Sequence, residues 1–142
     1  MTRIAHIMTP EPETVPPDVT IDVAARRMMA LGLRHLPVVD GGGRLVGIVS
    51  DRDLRGPLLY GDAPPGPSPA QPIDTVMTTD ILVAGADDEV GQVARRIVDR
   101  RVGAVPIVAA DGRLVGIVSY VDVLRRLAEE AEADARAVAL MD

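Results

Sequence analysis

Two pairs of a hydroxyl and a carboxylate are the residues of this sequence that could bind a ligand. Ser50 precedes Asp53 by three positions, and Ser119 precedes Asp122 by the same spacing. Each pair follows a short apolar run typical of a buried strand and opens a segment with helical periodicity. In the first turn of a helix, unpaired N–H groups lie at the positive end of the helix dipole. Such a position can hold an anion, while the carboxylate accepts hydrogen bonds from ligand hydroxyls.

The same spacing also has a purely structural explanation. A Ser at the start of a helix commonly caps that helix, and a nearby Asp interacts favourably with the helix dipole. A single copy of the pattern would favour this structural role. Two copies in register, each followed by a helical pattern, favour the ligand site, and capping alone is the alternative.

The two pairs lie at equivalent positions of an internal repeat. One constant offset, without a gap from Ile4/Ile73 to Asp53/Asp122, aligns Leu45–Ser50 with Leu114–Ser119, Met8-Thr9 with Met77-Thr78 and Pro37 with Pro106. A duplicated unit of this size predicts two structural halves related by a pseudo-twofold axis.

Periodicity predicts the order β-α-β-β-α in each repeat, and therefore an α/β (α+β) fold. The first repeat predicts a short strand at 13–15, a helix capped by Thr20 and ended by Gly32, a hairpin of 36–39 with 44–49, and a helix from Ser50. The second predicts a strand at 81–83, a helix around 90–98, a hairpin of 104–108 with 113–118, and a helix from Ser119 that could run to Leu140.

Proline marks the boundary between the repeats. Six of the 12 prolines fall between Gly56 and Pro72, where such a density disfavours a helix or a central strand. We therefore expect repeat 1 at 1–55, an extended linker at 56–72, repeat 2 at 73–127 and a C-terminal helix extension at 128–142.

Composition excludes several classes of function. Aromatic residues are only 1% of the chain and the net charge is −6, which disfavours a nucleic-acid partner. Cysteine is absent, and the two histidines are too far apart to predict a metal site. No apolar run reaches the length of a membrane span, and no secretory segment opens the sequence, so we expect a cytoplasmic protein.

Each repeat resembles a CBS domain, named after cystathionine β-synthase, and the pair resembles a Bateman module. The resemblance covers Ile4 to about Leu127, and its motifs recur in order. They are the Met-Thr of both lead-ins, Leu36-Pro37-Val38-Val39-Asp40, Val105-Pro106-Ile107-Val108, and the closing Gly-Ile-Val-Ser-x-x-Asp of both repeats.

The resemblance implies a regulatory module that binds an adenosine-containing ligand in clefts between the paired repeats. Members of the family bind AMP, ADP, ATP, S-adenosylmethionine or NAD. It implies that Asp53 and Asp122 hold ribose hydroxyls, with Ser50 and Ser119 near the ribose or phosphate. On family analogy, Val15 and Leu36 are candidates for the walls around adenine.

The two expected sites differ in charge. Arg34, His35 and Arg52 flank the first site, whereas the second has Gly103-Ala104 and Tyr120-Val121 at the matching positions. In relatives with a basic pair at the second strand, that pair reaches the ligand phosphates. We therefore expect a phosphate clamp at Asp53, and a second site that is weaker or prefers a less anionic adenosyl compound; ordinary surface arginines are the alternative.

We expect a standalone regulatory homodimer with no required cofactor, acting on an unidentified partner protein. The C-terminal helix either packs on its own module or contacts another subunit or partner. The alternative function is a structural dimerisation module with no physiological ligand. An enzyme is disfavoured, because no nucleophile–base pair is recognisable and no Lys is present to complete a Walker A motif.

Overall fold

The structure, a computed structural model, describes residues 1–60 and 67–141. The chain divides into two compact units. Unit 1 comprises Met1–Glu11, Leu82–Ala110 and Val115–Asp142, and unit 2 comprises Pro12–Ile81 and Asp111–Leu114.

The described residues form helices and mostly antiparallel strands, which confirms the α+β fold class. In chain order the elements are β1 (Thr9–Pro10), α1 (Ile21–Leu31), β2 (His35–Val39), β3 (Leu45–Ser50), α2 (Asp51–Tyr60), α3 (Val90–Arg100), β4 (Ala104–Val108), β5 (Leu114–Ser119) and α4 (Tyr120–Met141). Short 3-10 turns lie at Ile4–His6 and Ile73–Thr75. The strands pair in the order β1-β5-β4 and as β2-β3.

Each compact unit contains the lead-in of the other repeat. In unit 1, Ile4 is fully buried in a core formed with second-repeat residues, and its N–H donates to the carbonyl of Asp88 at 2.8 Å. In unit 2, Ile73 is fully buried among first-repeat residues and its N–H donates to Val19. The repeats therefore exchange their lead-ins, an arrangement that sequence periodicity does not reveal. The domain boundaries along the sequence stay a prediction.

Residues at the end of the predicted linker accept hydrogen bonds from the first backbone N–H groups of α1. The N–H groups of Ile21 and Asp22 donate to the carbonyls of Gln71 (2.9 Å) and Pro69 (3.0 Å). Thr20 occupies the N-cap position as predicted, but its hydroxyl donates to the Asp22 carboxylate and caps no backbone N–H. Gly32 ends α1 with φ 66°, the left-handed conformation typical of a helix stop.

The first strands predicted for the two repeats are shorter than expected. The segment predicted at 13–15 forms one bridge, of Val15 with Val38, and residues 81–83 form no strand, since the bridge of Ala84 with Ile107 lies one residue later. Pro16 follows Val15 and has no N–H with which to extend the ladder.

The first residues of the predicted linker are helical and not extended, because α2 continues through Gly56 and Pro57 to Tyr60. Pro57 lacks the N–H that would bond to the Asp53 carbonyl, yet its ring is buried, as is Leu54 one turn earlier. This burial supports the helix past the proline. Pro64 and Pro65, which also belong to the predicted linker, lie outside the described residues.

Glycine in the closing strands lets the exchanged lead-ins approach. A Cβ on Gly47 would collide with Sδ of Met77, and one on Gly116 would collide with Sδ of Met8. The carbonyl oxygen of Thr9 would also lie only 3.2 Å from the Gly116 Cβ. Each lead-in methionine therefore lies across a strand position that has room only for hydrogen.

We expect Gly47→Ala and Gly116→Ala each to lower the free energy of unfolding by about 1–3 kcal/mol, the usual cost of overpacking. Urea denaturation measures the change. Gly91→Ala is the matched control, because nothing lies within 4 Å of a Cβ there and the residue is in α3, where alanine is neutral or stabilising.

A double variant separates steric collision from a general effect of alanine in the strand. Met77→Ala removes the side chain that Gly47→Ala would strike, so the two costs should be less than additive. Strictly additive costs would show that the methionine and the glycine do not interact.

Candidate functional site

Ser50 and Asp53 form a reciprocal capping box at the start of α2. The N–H of Ser50 donates to Asp53 Oδ2 at 2.9 Å, and the N–H of Asp53 donates to Ser50 Oγ at 3.2 Å. This arrangement satisfies two backbone donors that the helix start would otherwise leave unpaired. The predicted capping role is therefore present in the structure.

Ser119 and Asp122 repeat this geometry at the start of α4. The N–H of Ser119 donates to Asp122 Oδ2 at 3.1 Å, and the N–H of Asp122 donates to Ser119 Oγ at 3.2 Å. In both boxes the aspartate accepts through Oδ2, and its Oδ1 takes no part in the box. Asp53 Oδ1 has no hydrogen-bond or ion-pair partner among the residues that the structure describes, and Asp122 Oδ1 lies 3.6 Å from Arg125.

Backbone pairing places Arg34 and His35 beside the first capping box. His35 lies opposite Ser50 in the β2–β3 ladder, and the N–H of Asp51 donates to the Arg34 carbonyl at 2.9 Å. The structure therefore brings Arg34 and His35, at the start of the hairpin, next to Ser50 and Asp51 at its end. The side chains of Arg34 and Arg52 are exposed, which leaves both guanidiniums accessible to solvent and to a ligand.

Partial burial lowers the pKa of His35 from its ordinary value of 6.5, because desolvation disfavours the charged imidazolium. The carboxylates of Asp51 and Asp53 act in the opposite direction, and the Arg34 guanidinium assists the lowering. His35 therefore sits within the electrostatic field of the first site and is mainly neutral near pH 7.

Val15 and Leu36 occupy the core of unit 2. Their side chains are 1% and 0% exposed, and the Val15 N–H and carbonyl both bond to β2. In this conformation both side chains are packed in the core and offer no surface to a ligand. Their role as walls around adenine stays a prediction.

Sequence comparison of the two motifs missed a charged group on α4. Arg125, Arg126 and Glu129 follow Asp122 by three, four and seven positions, so they lie near it on one side of the helix. Together with Ile7 they line a cavity in unit 1. Helical spacing from Asp122 could have found these residues, but they lie beyond the repeated motif.

The fold contains two copies of a helix–hairpin–helix unit, and in each copy a Ser-x-x-Asp capping box begins the second helix. This duplication defines the class of the protein as a tandem α+β repeat module. The sequence profile of the CBS domain matches residues 4–59 and 73–129. The chain belongs to the CBS domain family.

Solved structures of CBS domain pairs share this fold. The structure of CBSX2 in complex with AMP has a TM-score of 0.79 and 26% identity, covering 92% of this chain and 99% of that chain. The CBS domain pair of protein MJ0100, in complex with 5′-methylthioadenosine and S-adenosyl-L-methionine, has a TM-score of 0.77 and 27% identity, covering 92% and 98%.

A curated relative is much longer than this chain. Homoserine O-acetyltransferase of Methanococcoides burtonii is 32% identical over 124 residues, which cover 87% of this chain and 24% of the relative. The chain spans about a quarter of the length of the first curated relatives that it matches. The similarity therefore concerns a CBS segment and not the remainder of those proteins.

The described residues contain neither a cluster of metal ligands nor a helix that could span a membrane. Residues 1–60 and 67–141 contain no group of three or more His, Cys, Asp or Glu side chains that could hold a metal ion. Within the same ranges, no helix combines the length and apolar character needed to cross a membrane.

Because the folded-state pKa of His35 is lowered, the unfolded chain binds a proton at this residue more readily than the folded chain. The neutral His35 imidazole makes its full contribution to the free energy of unfolding above about pH 6.5. This contribution is lost as the pH falls from there towards the folded-state pKa. We expect unfolding free energy to decline more in the wild type than in His35→Gln over this window, measured by urea denaturation at several pH values.

Asp53→Asn should lower the pKa of His35 further, since it removes a charge that raises it. An NMR titration of the imidazole, assigned with His35→Gln, measures this shift. A rise of the pKa in Asp53→Asn would contradict the placement of the two groups.

Proposed function

We propose that this chain is a regulatory module that binds an adenosine-containing ligand through Asp53 and Asp122. The observation that carries the proposal is the geometry of the carboxylates. Each uses Oδ2 to close its own helix start; Asp53 Oδ1 has no partner among the described residues, and Asp122 Oδ1 has an ion pair of 3.6 Å with Arg125 that a stronger donor can replace. The hydroxyls of a ribose are suitable donors, because charge-assisted hydrogen bonds to a carboxylate are strong.

The ligand class is proposed from the relatives. The structures of CBSX2 with AMP and of the MJ0100 pair with 5′-methylthioadenosine and S-adenosylmethionine support an adenosine-containing ligand. AMP, ADP, ATP, S-adenosylmethionine and NAD are the candidates, and none is required as a cofactor. The proposed role is to sense the ligand and to regulate an unidentified partner protein in the cytoplasm, without catalysis.

For the first site we propose that Arg34 and Arg52 attract the phosphate of a nucleotide. Both side chains are exposed, the backbone of Arg34 bonds to Asp51 within the first turn of α2, and both guanidiniums stay charged at any relevant pH. His35, being mainly neutral, serves as a hydrogen-bonding group and contributes little positive charge. The protein's overall charge of −6 makes this local positive charge important for an anionic ligand.

The capping geometry also supports a second candidate function. Each Ser-x-x-Asp box is fully explained by the needs of a helix start, which requires no ligand. The chain would then be a structural dimerisation module. A thermal-shift screen with the candidate adenosyl compounds separates the two functions, because a ligand that binds only the native state raises the melting temperature.

Asp53→Asn is the sharpest test of ribose binding. Asparagine keeps an oxygen that can accept from the Ser50 N–H, so the helix start is retained while the negative charge is lost. We expect AMP affinity measured by calorimetry to fall by about 30- to 1000-fold, or about 2–4 kcal/mol.

Asp51→Asn is the matched control for that substitution. Asp51 lies on the same turn but pairs with Arg55 at 3.4 Å, so its loss should change affinity much less. Asp122→Asn should weaken binding only if the second site is occupied. Unchanged affinity in both Asp53→Asn and Asp122→Asn would leave the aspartates as helix caps only.

We further propose that the chain forms a twofold homodimer through its helices. In unit 1, Val98 of α3 is 68% exposed and Leu124 of α4 is 59% exposed, and α3 packs on α4. Exposed apolar side chains on adjacent helices are a common feature of an interface. Residues 131–141 of α4 are exposed along their whole length, which favours a contact outside unit 1 for the C-terminal helix.

We expect light scattering to give the mass of a dimer at micromolar concentration, with and without nucleotide. Leu124→Glu should shift the chain towards monomer, because it places a charge in the apolar surface. Gly41→Asp adds a negative charge at an open hairpin turn and should leave the mass unchanged. A strictly monomeric wild type would refute the dimer.

A further inference from the structure

A small cavity in unit 1 adjoins the second capping box and has no assigned role. Its volume is about 130 Å³, and it is lined by one apolar and four charged residues: Ile7, Asp122, Arg125, Arg126 and Glu129. A single water molecule needs only about 10–15 Å³ of cavity volume, so this cavity can accept a group of several atoms. Two guanidiniums and two carboxylates give its lining a net charge close to zero.

The ion pairs around this cavity are loose. Arg125 Nη1 lies 3.6 Å from Asp122 Oδ1, and Arg126 Nη1 lies 3.7 Å from Glu129 Oε2. Both distances exceed those of a good charge-assisted hydrogen bond, which are about 2.7–2.9 Å. The side chains are therefore only weakly committed to each other and can be recruited by a ligand.

Arg126 also carries an unmet donor. Its Nε is buried and has no hydrogen-bond partner among the described residues. A buried N–H without an acceptor is costly, and an oxygen from water or a ligand would satisfy it. A carboxylate oxygen is well suited, because the guanidinium is positively charged and planar.

Binding of a ribose at Asp122 would change the ion pairs around the cavity. The ribose hydroxyls would take Oδ1, the oxygen that now faces Arg125, and so release the Arg125 guanidinium. A released cation and the unmet Arg126 donor both attract an anionic group. The Glu129 carboxylate repels a dianion such as phosphate in the same cavity and attracts a cation. The lining therefore matches a group that carries one positive and one negative charge.

We propose that the Asp122 site takes an adenosyl compound whose other end is an amino-acid-like zwitterion. The carboxylate of that end is bound by Arg125 and Arg126, and its ammonium group is bound by Glu129. This inference rests on the proposed function, since Asp122 must hold the ribose. It adds the identity of the group beyond the ribose and the residues that select it.

The first repeat has no counterpart to this lining. At the positions that match Arg125, Arg126 and Glu129 it carries Gly56, Pro57 and Tyr60. Neither glycine nor proline can supply a guanidinium, and Pro57 lies within α2. The zwitterion subsite is therefore specific to the second repeat, whereas Arg34 and Arg52 mark the first for phosphate.

A matched pair of thioethers tests the proposal by calorimetry on the full chain. S-adenosylhomocysteine and 5′-methylthioadenosine share the adenosine and the neutral sulfur, and only the former carries the amino-acid end. We expect the wild type to bind S-adenosylhomocysteine about tenfold or more tighter. Glu129→Gln and Arg126→Met should each reduce this affinity ratio to within about threefold.

Glu132→Gln and Arg136→Met are controls for charge on the same helix, because neither residue lines the cavity. Both should keep the wild-type ratio. If 5′-methylthioadenosine binds but the ratio is near one, or does not respond to Glu129→Gln and Arg126→Met, the zwitterion subsite is refuted and the proposed function stands. If neither thioether nor AMP binds, the proposed function is refuted and this inference with it.

Discussion

The contact between a lead-in methionine and a strand glycine is the constraint on which both units depend. Met77 lies across Gly47 and Met8 lies across Gly116, and each contact brings the lead-in of one repeat onto the hairpin of the other. Ile4 and Ile73 are then fully buried in cores built mainly by the other repeat. Burial of such a side chain contributes about 1.5–3 kcal/mol, so neither repeat completes its core with its own residues. The capping boxes at the ends of β3 and β5 therefore follow strands that carry these glycine contacts.

The two capping boxes show how one carboxylate can serve the fold and a ligand at once. Oδ2 of Asp53 and of Asp122 accepts from the backbone of the preceding serine, which fixes the side chain before any ligand arrives. A fixed acceptor loses little conformational entropy on binding, which is the physical basis of preorganisation. The structural and functional explanations of the Ser-x-x-Asp spacing are therefore compatible, because they use different oxygens of the same group.

Sequence reasoning predicted the features that depend on local pattern. The hairpins, Gly32 as a helix stop and the extent of α4 follow from periodicity and glycine placement, and all are present. It failed where a distant segment decides the outcome. The N–H groups of Ile21 and Asp22 bond to carbonyls of residues 69–71, a pairing that no local signal predicts. It also failed at Pro57, where burial of the ring outweighs the helix-breaking tendency of proline. The two capping boxes follow from their motif, whereas the α4 charges were missed because they lie beyond the repeated motif.

The two repeats diverge in sequence just after the motif that they share. Up to Asp53 and Asp122 the repeats place the same groups in the same geometry, so both retain an acceptor for a ribose. One turn later, Pro57 removes a backbone donor from α2, whereas Arg126 brings a guanidinium whose Nε is buried without a partner. A residue on the next turn of a helix lies about 5–6 Å from the aspartate, within reach of the group attached to a bound ribose. Under the proposed function, this turn of α2 and α4, together with Arg34 and Arg52, distinguishes ligands that share adenosine, while the capping boxes supply the recognition common to all of them.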